Sequence, residues 1–253
     1  MKRVWFRFYA ELNDFLPAAR RQVTFTHAFS GLVAVKDMIE ALGVPHTEVD
    51  LVLVDGQSVD FSYLVQEGDR ISVYPVFEAI DIASLVRVRP DPLREPRFVL
   101  DTHLGQLASY LRMLGFDTLY RNDYADDELA RISSQEGRIL LTRDRGLLKR
   151  AQVTHGYCVR TTDPRRQVVE VLRRFDLFGA VAPFQRCMRC NGVLEPVDKA
   201  AVAERLLPRV REDFEEFRRC RGCGQVYWKG SHYDRMRAFV ARVLKGDSST
   251  SSE

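Results

Sequence analysis

The sequence predicts an α/β protein in three parts: a small β-grasp domain, a parallel α/β sheet domain, and a closed four-cysteine zinc site. Three observations carry this reading. Across the first 80 residues the hydrophobic pattern runs strand, strand, helix, strand, strand. From residue 97 onward strands and helices alternate, as βα units do. Toward the end stand two C-x-x-C pairs, Cys187-Met-Arg-Cys190 and Cys220-Arg-Gly-Cys223. Thiolates two residues apart can turn onto one ion, and two such pairs complete a tetrahedral site with no open position for substrate.

The front domain begins with alternation over Val4 to Tyr9 and a second strand around Gln22 to Thr26. A helix over Val35 to Leu42 stops at Gly43, with Pro45 beyond it. Strands at Val49 to Val54 and Arg70 to Tyr74 follow, separated by the turn signals Asp55-Gly56 and Glu67-Gly-Asp69. The stretch Gln66 to Pro75 resembles the closing strand of ubiquitin-like sulfur carriers. Those carriers end in a free Gly-Gly, whereas here the strand is expected to run on into Val76–Ala79, which argues against sulfur transfer. Three prolines and scattered charge make 81–96 a semi-rigid linker.

Beyond the linker, a strand at Arg97 to Leu100 precedes a helix whose apolar face holds Leu104, Leu107, Ala108, Leu111 and Leu114. Gly115 ends it. A strand over Phe116 to Tyr120, a helix over Asp126 to Gln135, a strand over Arg138 to Thr142 and a helix over Arg145 to Ala151 continue the alternation. A strand near Tyr157 to Arg160 and a helix over Pro164 to Phe175 complete it, with helices expected on both faces of a parallel sheet. A mostly helical insert, Asp198 to Phe217, is expected between the cysteine pairs. A basic helix from about Tyr233 to Leu244 and a Ser-rich disordered tail, 247–253, close the chain.

Charge separates the halves. Residues 1–80 hold 7 Lys/Arg and 11 Asp/Glu, a balance of −4, and the other 31 Lys/Arg and 24 Asp/Glu give +7. An acidic front and a basic rear predict different partners, with the front expected to act as a docking surface for a protein or as an autoregulatory module whose acidity shields the basic groove. The N-terminal alternation is broken by charge, unlike a secretion signal, and no apolar run reaches membrane-span length. Paired C-x-x-C motifs without a secretion signal read as metal ligands in a reducing compartment, so a cytoplasmic location is expected. Cys158 is expected buried in a strand, and His27, His46 and His155 look incidental.

In an open α/β sheet, ligands bind beyond the carboxyl ends of the strands. Asp101 directly follows one strand, Asp144 follows another, and Asp126 opens the helix between them. Carboxylates gathered on one edge call for a cation, and hard Mg²⁺ or Mn²⁺ prefers such oxygen ligands. Asp127 and Glu128 stand in reserve. The plain alternative is that Asp126 and Asp144 cap helices; Asp101 is the least explained by capping.

The combination of motifs resembles the Mut-seven C-terminal RNase family: a PIN-like nuclease domain with a zinc ribbon, often behind a ubiquitin-like domain. The resemblance covers essentially the whole chain. It rests on Val99 to Thr118, Asp126 to Leu129, Glu136 to Asp144, Arg186 to Gly192, and Cys220 to His232. It implies a ubiquitin-like β-grasp domain at 1–80, the linker at 81–96, a PIN-like domain at 97–182, and a zinc ribbon with its helix at 183–246. It also implies metal-dependent, endonucleolytic cleavage of RNA, with Asp101, Asp126, Asp144 and Asp127 as the catalytic acids and zinc as a structural ion. Thr102-His103 departs from the small-then-apolar pair expected there. The other reading is a non-catalytic RNA or ribonucleoprotein binder that keeps a PIN-like fold.

Single-stranded RNA is gripped by cationic grooves with aromatic platforms. The candidates are Arg112, Arg143, Arg145, Lys149 and Arg150 near the acidic edge, and Tyr227, Trp228, Lys229, His232 and Tyr233 after the second cysteine pair. For the first group the plain alternative is a solvated helix face. For Tyr227 and Trp228 it is packing on the zinc site, and for His232 a helix cap.

Overall fold

The computed structural model describes residues 1–75, 87–88 and 95–246. The expected linker falls mostly outside these, and Val76–Ala79 and the tail 247–253 fall wholly outside. The chain forms two compact units: Met1–Glu95 with Asp126–Cys158, and Pro96–Ala125 with Val159–Glu253.

The first unit opens with a five-stranded sheet of order β2-β1-β5-β3-β4. Its strands are β1 (Lys2–Phe8), β2 (Phe25–Phe29), β3 (Leu51–Val54), β4 (Gln57–Val59) and β5 (Arg70–Tyr74). β1 is parallel to β5, and the other neighbours are antiparallel, as a β-grasp requires. On β1, Val4, Phe6 and Phe8 are buried while Trp5 faces outward, so the two-residue period places one face in the core. Helix α1 (Val35–Ala41) buries Val35, Met38 and Ile39. Gly43 follows it at φ +109°, where a Cβ would also lie 3.1 Å from the Phe15 carbonyl oxygen.

The same unit contains α3 (Asp126–Glu136), β8 (Ile139–Thr142), α4 (Arg145–Leu148) and β9 (Gly156–Cys158). β8 and β9 pair in parallel, and all four residues of β8 are buried, the mark of a strand covered on both faces. Polar groups join this segment to the β-grasp. Glu48, 1% exposed, accepts the backbone N–H of Cys158 at 2.6 Å. His46 lies 2.6 Å from Glu40 through Nδ1 and 2.9 Å from the Val153 carbonyl through Nε2. His46 is therefore a joint between segments 107 residues apart, not the incidental residue that the sequence suggests.

The second unit holds β6 (Phe98–Leu100) parallel to β7 (Thr118–Leu119), with α2 (Gly105–Met113) and α5 (Pro164–Arg174). A separate antiparallel sheet, β10 (Leu194–Val197), β11 (Phe217–Cys220) and β12 (Val226–Trp228), carries the cysteines, and α7 (Ser231–Leu244) follows it. Between β10 and β11 lie short 3₁₀ turns and α6 (Pro208–Asp213).

Three details differ from the sequence expectation. β2 begins at Phe25 because Gln22 sits at φ +56° with its amide bonded to Asn13 Oδ1 at 2.6 Å, which turns the chain before the strand starts. β4 is a short polar edge strand without apolar alternation. The insert between the cysteine pairs is less helical than expected and is bounded by ribbon strands.

The Glu48 joint yields a first prediction. Glu48→Ala removes the buried acceptor of the Cys158 amide and should lower unfolding free energy by about 1–3 kcal/mol. Glu48→Gln, which keeps an acceptor oxygen, should recover most of that loss in denaturant titrations.

Candidate functional site

The four cysteines converge. All four Sγ atoms lie within 4.8 Å of one another, and among the described residues they are the group of His, Cys, Asp or Glu ligands gathered this closely. Cys187 and Cys223 are 3.7 Å apart, and Cys190 and Cys220 are 3.4 Å apart. A tetrahedral ion with sulfur at about 2.3 Å would set edges of about 3.8 Å, so the spacing fits a metal such as zinc. A disulfide, at about 2.05 Å between sulfurs, it does not fit.

The loops that present these thiols follow from their sequence. Asn191, just after the first pair, adopts φ +69°, a left-handed conformation that Asn tolerates. Gly192 comes next because a Cβ there would lie 2.7 Å from Cys220 Sγ. The Cys187 amide donates to the Gly192 carbonyl at 2.8 Å, closing the first loop. The amide of Gly222 points at Cys220 Sγ at 3.3 Å, which favours a thiolate.

Charge at the thiols is uneven. Burial alone would raise the Cys187 thiol, but the Tyr227 hydroxyl at 3.1 Å and the amides of Cys190 and Arg189 outweigh it and bring it down to about 7. Burial pushes Cys190 up to about 12, with the neighbouring sulfurs adding to the rise. Four thiolates so close repel, and a divalent cation relieves the repulsion.

Two side chains tie the first loop to the sheet, and sequence reasoning missed one and misassigned the other. Asn191 accepts from the Thr118 amide at 3.0 Å and donates to Asp117 Oδ1 at 2.8 Å. Arg112, expected on an RNA surface, is instead buried, at 4% exposure. Its Nε donates to the Thr118 carbonyl at 2.9 Å, and Nη1 to the carbonyls of Met188 and Arg189, each at 3.1 Å. A guanidinium so occupied inside the protein has nothing to offer a phosphate; it ties α2 and β7 to the cysteine loop. A signal was present: Arg112 stands four residues after Ala108 on the apolar stripe of its helix.

The acids sit at element ends. Asp101, 9% exposed, follows β6 and accepts from the Thr102 hydroxyl at 3.1 Å. Asp144, exposed, caps α4 by accepting from the Gly146 amide at 2.7 Å. Asp126 and Asp127 open α3, and both face Arg150, Asp126 at 3.6 Å and Asp127 in direct contact.

Among the other candidate cations, Arg143 is exposed. Arg145 is engaged within its own unit: it reaches the carbonyls of Phe15 and Asp14 at 3.3 and 3.4 Å and lies over the Phe15 ring. Lys149 donates to the Glu40 carbonyl at 2.6 Å. Both therefore hold α4 to the β-grasp. After the ribbon, Tyr227 is half-buried against Cys187, Trp228 and Lys229 are exposed, and Lys229 pairs with Glu216. His232 is exposed, 3.3 Å from Arg235. No helix among the described residues is long and apolar enough to cross a membrane.

Arg112→Ala should loosen the cysteine loop before it disturbs anything else. We expect a loss of about 3 kcal/mol in stability and faster amide exchange at Met188 to Asn191, since three charge-assisted bonds to carbonyls disappear. Unchanged exchange would mean that the loop is held by its cysteines alone.

Two family models match the chain. Residues 1–81 match a family model described as Mut7-C ubiquitin, and residues 96–240 match one described as Mut7-C RNAse domain. A human protein named exonuclease mut-7 homolog is 37% identical over 106 residues, which are 40% of this chain and 12% of that protein. The chain thus matches a small part of that relative's length. No solved structure matches. A ubiquitin-like domain, a parallel sheet and four gathered cysteines stand together here, and the chain belongs to the Mut7-C RNAse domain family.

Proposed function

We propose that the chain is a PIN-like, metal-dependent ribonuclease that hydrolyses internal phosphodiester bonds of RNA. The observation that carries this is the position of two acids: Asp101 directly follows β6, and Asp144 stands two residues beyond β8, where α/β sheets bind ligands. Asp126, at the start of α3, is the third, with Asp127 beside it. This donor set, all carboxylate oxygen, suits Mg²⁺ or Mn²⁺. Such an ion, when bound, supplies charge neutralisation and an acidified water. Asp101 is held in orientation by Thr102, and Arg150 tempers the charge of Asp126 and Asp127. In the hydrolysis, water oxygen bonds to phosphorus, the bond to the leaving sugar oxygen breaks, and that oxygen takes up a proton.

The four cysteines hold structural zinc, and the ribbon presents Trp228, Lys229 and His232 to RNA. Tyr227 supports this through Cys187. Arg143 is the remaining candidate cation near the acids. The choice of RNA rests on the family description, and a cytoplasmic setting on thiols that need a reducing compartment. The acidic β-grasp is a docking module for a protein partner.

A second reading has its own support. Asp144 is engaged as a helix cap, and Asp126 and Asp127 as partners of Arg150, so a non-catalytic RNA binder could keep the same fold.

The substitutions Asp101→Asn and Asp144→Asn separate these readings, because Asn caps helices about as well as Asp. The double variant should keep its melting temperature and lose at least about 100-fold of Mn²⁺-dependent cleavage of single-stranded RNA. Identical cleavage by wild type and variant would leave only the binding reading. The zinc assignment is checked separately. One zinc per chain is expected, and chelation should unfold the ribbon, read as loss of amide protection over 187–228, while the β-grasp sheet stays protected.

A further inference from the structure

Beside the ribbon lies a groove of about 870 Å³ whose lining includes Trp228 and Lys229. It falls within the size range of ligand sites, about 300–1,000 Å³. Its walls are aromatic and thioether groups: Trp228 on β12, Phe184 and Tyr233, with Met188 and Met236 beside them. Phe184 and Tyr233 pack at 4.8 Å between ring centres. Trp228 remains 36% exposed although a strand fixes its backbone. Its indole is crowded by the chain turn at Gly230, where a Cβ would lie 3.0 Å from Nε1. A large, oriented and exposed ring is a platform without a stacking partner.

The rim is ionic, and its ions differ in how firmly they are held. Arg218 is fixed by the Phe184 carbonyl at 2.8 Å. Lys229 pairs with Glu216, and both side chains are open to solvent, 60% and 74% exposed. Exposed pairs of this kind contribute little and exchange partners readily. Lysine can therefore leave Glu216 for a phosphate at slight cost.

We propose that this groove binds an unpaired nucleotide of single-stranded RNA, its base stacked on Trp228 and its phosphate taken by Lys229 in place of Glu216. The inference rests on the ribonuclease reading for its choice of nucleic acid and deepens it: the ribbon selects unpaired strands. An A-form duplex keeps its bases stacked and cannot offer a face to the indole. Glu216 then competes with that phosphate for Lys229.

The chain has two tryptophans, Trp5 and Trp228. In a Trp5→Phe, Asp101→Asn, Asp144→Asn background, fluorescence reports Trp228 alone and RNA stays uncut. Single-stranded hexauridylate should quench that fluorescence, and a duplex of equal length should not. Lys229→Ala should weaken hexamer binding about tenfold and flatten its log–log salt dependence by about 0.7, one phosphate contact fewer on a single strand. Glu216→Gln should strengthen binding about threefold, a gain no merely structural role predicts. Binding without quenching, equal quenching by duplex, or no RNA binding, which would leave the groove to a protein partner, each overturns the proposal. Cleavage by the wild type is read independently, so nuclease function and groove can fail separately.

Discussion

Four sulfur atoms within 4.8 Å of one another are the constraint on which the rear of the molecule depends. The ribbon around them has little else to hold it. Its clusters are small, Cys187, Leu194 and Cys220 in one and Val202, Phe217 and Val226 in the other, too few apolar groups to fold a three-stranded sheet unaided. A bound soft cation turns mutual repulsion of thiolates into cohesion, and β10 to β12 then position Trp228. Arg112 and Asn191, two buried polar groups, help to join this centre to the rest of its unit, reaching about 75 residues along the chain. Because each bond is made where water cannot replace it, the geometry is specific as well as stable.

The first unit uses the same device without a metal. Glu48 accepts from the backbone of β9, and His46 links Glu40 to the Val153 carbonyl. A carboxylate buried on an edge-strand amide serves a second end, since it occupies a donor that could otherwise pair with another chain. Buried polar groups of this kind are costly unless paired, and these pairs join the β-grasp to β9 and to the Val153 carbonyl.

Much of the fold was legible because its elements obey local rules. Arg70–Tyr74, Asp126–Glu136 and Pro164–Arg174 have clean periodicity, and their ends carry Gly, Asp or Pro signals. The ribbon strands were not legible. Phe217-Arg-Arg-Cys220 carries charge at its centre, and its pairing is dictated by the cysteines, not by a hydrophobic face. Among the site residues, the cysteines were legible from spacing alone. The arginines were not, because composition cannot tell a guanidinium that meets solvent from one that meets three carbonyls. Arg112 had a positional clue in its helix; Arg145 had none, since its partners lie about 130 residues away.

That last difference changes what the charge asymmetry means. From sequence, the −4 of the front and the +7 of the rear suggest that carboxylates of the β-grasp neutralise cations of the nuclease segment. At the contacts themselves the partners are different. Arg145 meets backbone carbonyls and a phenyl face, and Lys149 meets the carbonyl of Glu40, not its carboxylate. Carbonyl dipoles hold a cation without cancelling its charge, so both residues remain positive while losing their freedom to move. At these two cations the backbone, which carries no formal charge, takes the place that net charge alone would give to carboxylates.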